Sequence, residues 1–245
     1  MGTPPASPEG GPYGPGPSAE GFGASADALG DLAPVLRRAV NLDPRSLARL
    51  RLSPGDPPAG RDAEGAGPTA CVLVRLPFGV LVSRTIELPG GPVDNVDVAI
   101  HAGEFLAWLD GEQRDPPVQR NGQWRTGLPP SRGWQRVDTV PDAVVRDLVR
   151  AGALTVKQAA AGEGVPHAEP RAQVTDVLLD AVVLTVHDED RSAQVTLRVL
   201  SAVLRMGFMP SGSHIAVDLA GRWTRVAARY GSVYAERAGR QLNLL

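Results

Sequence analysis

Between residues 174 and 237, apolar side chains recur with two different periods, and each switch between them marks an element boundary. Val177, Leu178 and Ala181 share one side of a short helix predicted over 173–181. Val182, Leu184 and Val186 then alternate with Val183, Thr185 and His187, which predicts a strand. Residues 188–192 are a polar turn. Ala193, Val195 and Leu197 alternate with Gln194, Thr196 and Arg198, completing a hairpin with one wet face. Val199, Leu200, Val203, Leu204 and Phe208 return to helical spacing until Pro210 and Gly212 stop it. Ile215, Val217 and Leu219 alternate again, and a turn at Gly221-Arg222 leads into a further strand over 223–228. Helix, hairpin, helix, hairpin is an α+β pattern, with antiparallel sheets built from hairpins and short helices packed on one face.

The preceding residues extend that pattern. Ser25 can cap a helix whose Leu29, Leu32, Leu36 and Val40 share a face, although Gly30 and Pro34 fall inside it. Residues 48–52 alternate as a strand, with a short helix from Pro44 as the competing reading. Segments 69–76 and 79–88 form a hairpin turning at Pro77-Phe78, so the first half holds a three-stranded meander with a long loop over 53–68. A strand is expected over 96–100 and a helix over 102–109. The connection that follows holds Trp124 and Trp134, whose indoles predict order by packing. Thr139 and Asp142 bracket the start of a helix that Gly152 is expected to stop, with a second short helix from Thr155 through Ala161. The organisation expected is a disordered N-terminal tail over 1–24, an α+β subdomain over 25–112, a Trp-containing connection over 113–138 and a second α+β subdomain over 139–240.

Composition narrows the partners. Of 245 residues 42% are hydrophobic, enough for one sizeable core or two small ones. A formal net charge of −2 recruits neither nucleic acid nor an acidic membrane through bulk charge. Lys157 is the only lysine among 25 basic residues, so the arginine bias follows from base composition rather than from phosphate binding. Cys71 stands alone, which excludes an intrachain disulfide and an all-cysteine metal site. No secretory segment or membrane span is legible, and the expected location is the cytoplasm.

No residue set assembles a catalytic, cofactor or metal site. His101 and Glu104 are three apart but lack a third ligand, so they read as a strand-end histidine and a solvated glutamate. His187 and the acids after it lack the spacing of a calcium loop. Ser211, Ser213 and His214 are chain neighbours, an arrangement that seldom aims a nucleophile at its base. Cys71 opens a strand and reads as a small buried hydrophobe. The candidate binding surface is a ribbon in which cations and aromatics interleave, Arg222, Arg225, Arg229, Tyr230 and Tyr234, together with the Phe78-Gly79 turn.

Four phrases, 75–84, 133–141, 205–208 and 221–223 with 230–234, resemble a family of proteins from high-GC actinobacteria for which no activity is established. The resemblance spans roughly 30–238 and implies no functional residue. The reading is therefore a non-enzymatic cytoplasmic binding or regulatory module acting through a protein partner or small ligand, with no cofactor. The alternatives are a nucleic-acid-binding regulator using the arginine–aromatic ribbon, or a hydrolase-like enzyme in which His101, His187 or His214 meets an acid or a serine.

Overall fold

The computed structural model describes residues 23–54, 67–89, 93–161 and 176–237. Apart from Gly23 and Ala24, the expected tail lies outside these residues, as do most of the 53–68 loop and the 162–171 loop.

The chain opens with α1 (Ala26–Leu29), capped by Ser25, whose Oγ accepts from the Ala28 amide at 3.2 Å. A 3-10 turn over Gly30–Leu32 separates it from α2 (Ala33–Leu42). The sequence predicted one helix, and the break falls where its two weak positions lie. Pro34 has no N–H to return to Gly30, and glycine is a poor helix former. Strands β1 (Leu47–Ser53), β2 (Thr69–Arg75) and β3 (Leu81–Glu87) form the expected meander, so the helix starting at Pro44 does not occur. Strand β4 (Val96–His101) runs directly into α3 (Ala102–Leu109) and pairs with β1.

The second half departs further from expectation. Residues Gln135–Pro141, assigned to the connection and a helix start, are strand β5. Val137 and Val140 are buried, and Thr139 sits in the ladder opposite Ala216 rather than capping a helix. Three β-branched side chains outweigh the weak cap there. A single helix, α4 (Asp142–Ala161), replaces the predicted pair. Gly152 does not stop it. A Cβ at that position would lie 2.5 Å from Leu197 Cδ2, so the glycine lets α4 approach the next helix closely. A helical turn at 176–179 precedes β6 (Val182–His187) and β7 (Ser192–Thr196), which pair as a separate ribbon. Helix α5 (Leu197–Arg205) follows, then β8 (His214–Ala220), β9 (Trp223–Ala228) and β10 (Gly231–Glu236).

Eight strands form one antiparallel sheet in the order β4-β1-β2-β3-β10-β9-β8-β5. Strands from 47–101 and from 135–236 meet at β3 and β10, through the pairs Ser83–Ser232, Val82–Val233 and Leu81–Tyr234. The alternation along each strand places Ala48, Leu50, Val72, Val74, Val82, Val217, Val226 and Val233 on one face, in the main core. The helices cover that face, with Leu36, Phe105, Trp108, Leu200 and Val203 fully buried against it. The fold is thus α+β, with helices on one face of a large antiparallel sheet. The opposite face is where the sequence pattern becomes polar and aromatic.

Candidate functional site

Period-two alternation sends a second set of side chains away from the helices. Cys71, Leu73, Leu81, Trp223 and Tyr234 come from β2, β3, β9 and β10 and meet Trp124, Leu128 and Trp134 from the connection between α3 and β5. That connection is a strap laid across the sheet. It is pinned at its start beside edge strand β4, where the Arg120 amide donates to the Ala99 carbonyl and Asn121 Oδ1 accepts from the Ala99 amide, both at 2.6 Å. The side chain and backbone of the strap stand in for a neighbouring strand.

Each indole of the strap has its N–H satisfied internally. Trp124 Nε1 donates to the Thr126 carbonyl at 2.6 Å and Trp134 Nε1 to the Pro130 carbonyl at 2.9 Å. Half-buried aromatics with satisfied polar ends hold their place, so the strap is ordered by packing its tryptophans against the sheet. Gly127 lets it come close: a Cβ there would sit 3.3 Å from Arg222 and Glu236.

Beneath the strap a line of polar groups crosses the sheet. Asp218 on β8 is 2% exposed and accepts from Arg225 on β9, itself 8% exposed, at 2.9 Å. Arg136 on β5 reaches the other oxygen of Asp218 at 3.1 Å. The Arg225 guanidinium also lies 4.5 Å from the centroid of Trp134, a cation–π contact whose strength rises with desolvation. Trp134 packs against Tyr234 with centroids 5.7 Å apart. Tyr234 shares a 3.1 Å hydrogen bond with Ser83. Burial, followed by the neighbouring Cys71, pushes the Tyr234 phenol above its ordinary pKa.

A cleft of about 690 Å³ opens between the Pro129–Trp134 end of the strap and the sheet. Its floor is Cys71, Leu73, Thr85 and Tyr234, its strap wall Pro129, Pro130 and Trp134, and its rim Arg51, Ser53, Asn95 and Asp97. Burial raises the Cys71 thiol pKa, against opposing hydrogen bonds from Thr85 and Ser83 and the positive charge of Arg51. The thiol is neutral near pH 7, so it serves as a small packing group and not as an activated nucleophile. At the rim Asp97 binds Arg49 tightly, at 2.5 Å, and Arg51 loosely, at 3.7 Å. A second hollow, of about 470 Å³, lies on the far side of the strap near Arg75, Arg125 and Arg198.

The ribbon singled out from sequence is divided by this geometry. Arg225 and Tyr234 lie together at the cleft. Arg222 sits at the β8–β9 turn, over the Trp223 ring and 3.4 Å from Glu236. Arg229 and Tyr230 stand together at the opposite end, in the β9–β10 turn, where Arg84 also stacks on Tyr230. Phe78 lies in the β2–β3 turn beneath Arg205, and its carbonyl accepts from Arg198. Sequence reasoning missed Trp134, Thr85, Arg51 and Asp218 as lining or supporting groups. The strand alternation that placed Val72 and Val74 in the core already set Cys71 on the other face, which was the available signal.

The three candidate histidines are spread over the ends of β4, β6 and the start of β8, as His101, His187 and His214. Among the described residues no group of three His, Cys, Asp or Glu side chains converges as a metal site. No helix among them is long and apolar enough to cross a membrane.

Residues 22–126 match the family model described as Domain of unknown function (DUF8010), and residues 129–240 the one described as Domain of unknown function (DUF8185). The boundary between the matches falls inside the strap. No curated protein matches the chain. Among solved structures, the DNA polymerase sliding clamp from Pseudomonas aeruginosa aligns over 89% of this chain and 64% of its own, at 8% identity and a TM-score of 0.48. The Helicobacter pylori beta clamp bound to DNA ligase peptide aligns over 86% and 65%, at 8% identity and a TM-score of 0.46. The chain thus spans less than two thirds of the length of these structures.

Proposed function

We propose that the protein is a non-enzymatic binding module and that its ligand, a small molecule or a segment of a protein partner, seats in the cleft beneath the strap. The observation that supports this most is the cleft itself. Its volume of about 690 Å³ falls within the range typical of ligand pockets, which combine apolar and aromatic walls with a few placed polar groups. Trp134 and Tyr234 supply the aromatic wall, while Thr85, Asn95 and Arg51 supply donors. The neutral Cys71 thiol adds no reactive group. Of the ribbon proposed from sequence, Arg225 and Tyr234 contribute here. Arg222, Arg229, Tyr230 and Phe78 form separate outer patches suited to partner contacts. The lone cysteine suits a reducing compartment, and we place the module in the cytoplasm.

The test uses 8-anilinonaphthalene-1-sulfonate, whose rings match the indole wall and whose sulfonate can reach Arg51. The full chain should bind it saturably, with energy transfer from tryptophan. Thr85→Trp, which fills the floor from a partly exposed position, should abolish the binding while leaving the circular dichroism spectrum intact. Undiminished binding by that variant and by Trp134→Ala would remove the cleft from consideration. Nucleic-acid binding is the rival outcome: a single-stranded oligonucleotide bound more weakly as salt rises would favour it.

A further inference from the structure

On the helix side of the sheet, where strands of the two halves meet at β3 and β10, lies a pocket of about 260 Å³. Arg38 on α2 and Arg84 on β3 come to it from the first half, and Gly207, Phe208 and Tyr230 from the second. The alternation that puts Val82 and Ile86 in the core also puts Arg84 on that face. The pocket shares no lining residue with the cleft beneath the strap, so the two sites stand apart.

Both guanidiniums are held without being neutralised. Arg84 Nε donates to the Asp31 carbonyl at 2.8 Å and Nη1 to the Tyr230 carbonyl at 3.0 Å, while the group stacks on the Tyr230 ring. Carbonyls position a cation but bring no counter-charge, and the remaining N–H groups of the fork stay open. Arg38 lies against Gly207, where a Cβ would sit 2.8 Å from its Nη2. At φ +65° that backbone also suits glycine. The Arg38 side chain makes no ion pair or hydrogen bond among the described residues. Arg229 brings a third cation to the Tyr230 ring, and no carboxylate lines the pocket. Elsewhere on the sheet Arg49 lies against Asp97 and Arg225 against Asp218. Base composition accounts for the number of arginines, but not for the missing acids here.

We infer that this pocket binds a phosphoryl dianion, carried by a small phosphate monoester or present as free phosphate. Planar guanidinium forks match phosphate oxygens two at a time, and several cations around one hollow favour a doubly charged group over a carboxylate. The volume is below the roughly 300–1,000 Å³ of pockets that enclose a whole drug-sized ligand. A headgroup therefore enters, and the rest of an ester lies along Tyr230, which is 43% exposed.

The experiment titrates the full chain calorimetrically with phenyl phosphate, inorganic phosphate and benzenesulfonate, well above the second phosphate pKa of about 6. Phenyl phosphate should bind at one site, at least about tenfold tighter than the singly charged sulfonate, the factor one charge-assisted hydrogen bond supplies. Arg38→Gln, at an exposed position with no partner to lose, should keep the parent circular dichroism spectrum. It should weaken phenyl phosphate by about tenfold or more. Arg229→Gln should weaken it by only about two- to threefold. Arg114→Gln, exposed and outside the pocket, should change nothing. A phenyl phosphate affinity above that of inorganic phosphate would identify an ester as the ligand, and equal affinities would identify free phosphate. Absence of binding by both phosphates, equal affinity for benzenesulfonate, or equal losses in Arg38→Gln and Arg114→Gln would each overturn the assignment.

Discussion

Asp218 is the hinge of the strap-side electrostatics, and removing its charge should cost more than removing either arginine it holds. Its carboxylate is 2% exposed and accepts from Arg225 at 2.9 Å and from Arg136 at 3.1 Å. Asp218→Ala leaves the Arg225 guanidinium, 8% exposed, without its counter-charge. Breaking a buried pair from one side typically costs about 3–5 kcal/mol. Arg225→Ala should cost less, about 2–3 kcal/mol, because Asp218 keeps Arg136 while Trp134 loses its cation. Arg136→Ala should cost no more than about 1 kcal/mol, since that side chain is 49% exposed. Urea titrations followed by tryptophan fluorescence would rank the three, and the Asp218→Ala, Arg225→Ala double variant should lose well less than the sum of the two single losses, because it leaves neither member of the pair without its partner. For a chain of this length each kcal/mol moves the melting temperature by about 2–4 °C. An Asp218→Ala protein within about 1 kcal/mol of the parent, or one less damaged than Arg136→Ala, would refute the claim that this carboxylate anchors the row.

Three further outcomes follow from other parts of the fold. Gly152→Ala gains about 1 kcal/mol of helix propensity but drives a methyl to 2.5 Å from Leu197. Overpacking costs about 1–3 kcal/mol, so the variant should be less stable in a urea titration, and Gly152→Ala with Leu197→Ala should recover part of the loss. The Asp142 carboxyl is held below its ordinary pKa first by the hydrogen bond from Arg146, and also by the Gly212 amide. Its contribution is therefore present above the unfolded value near 3.8 and disappears as pH falls through the lower folded value. Asp142→Asn should flatten the stability profile in that acid window and change little of its shape between pH 6 and 8, as read by thermal melts. Cys71 should alkylate slowly with iodoacetamide at pH 7, and its rate should keep rising beyond the pH at which a free thiol levels off.

The parts of this fold that sequence made legible are those in which one period dominates a whole segment. The β2–β3 hairpin, the β8–β9 hairpin and α5 each repeat one pattern over six or more positions. Where two weak signals competed, the tertiary environment decided. Thr139 and Asp142 suggested a cap, yet the vacancy beside β8 drew Val137, Thr139 and Val140 into a ladder. Gly152 suggested a stop, yet its lack of a side chain served the contact with Leu197. The strap shows the limit on the site: the indoles predicted that the connection would be ordered, but not which face it would cover. Cys71 and Thr85 lie fourteen residues apart in sequence, and only their pairing across β2 and β3 makes them one floor.

The two ends of the eight-stranded sheet are not equivalent. At β4, Arg120 and Asn121 occupy the hydrogen-bonding positions of Ala99, so a foreign strand arriving there finds its central place taken. At β5, no described strand pairs with the outer side, and the register slips between Arg136 and Asp138. Exposed strand borders template accretion, and of the two outer strands of the eight-stranded sheet β5 is the one without a hydrogen-bonded neighbour on its outer side among the described residues. Two copies abutting through β5 would leave β4, with its Ala99 amide and carbonyl already engaged, as the outer strand at each end of the joined sheet.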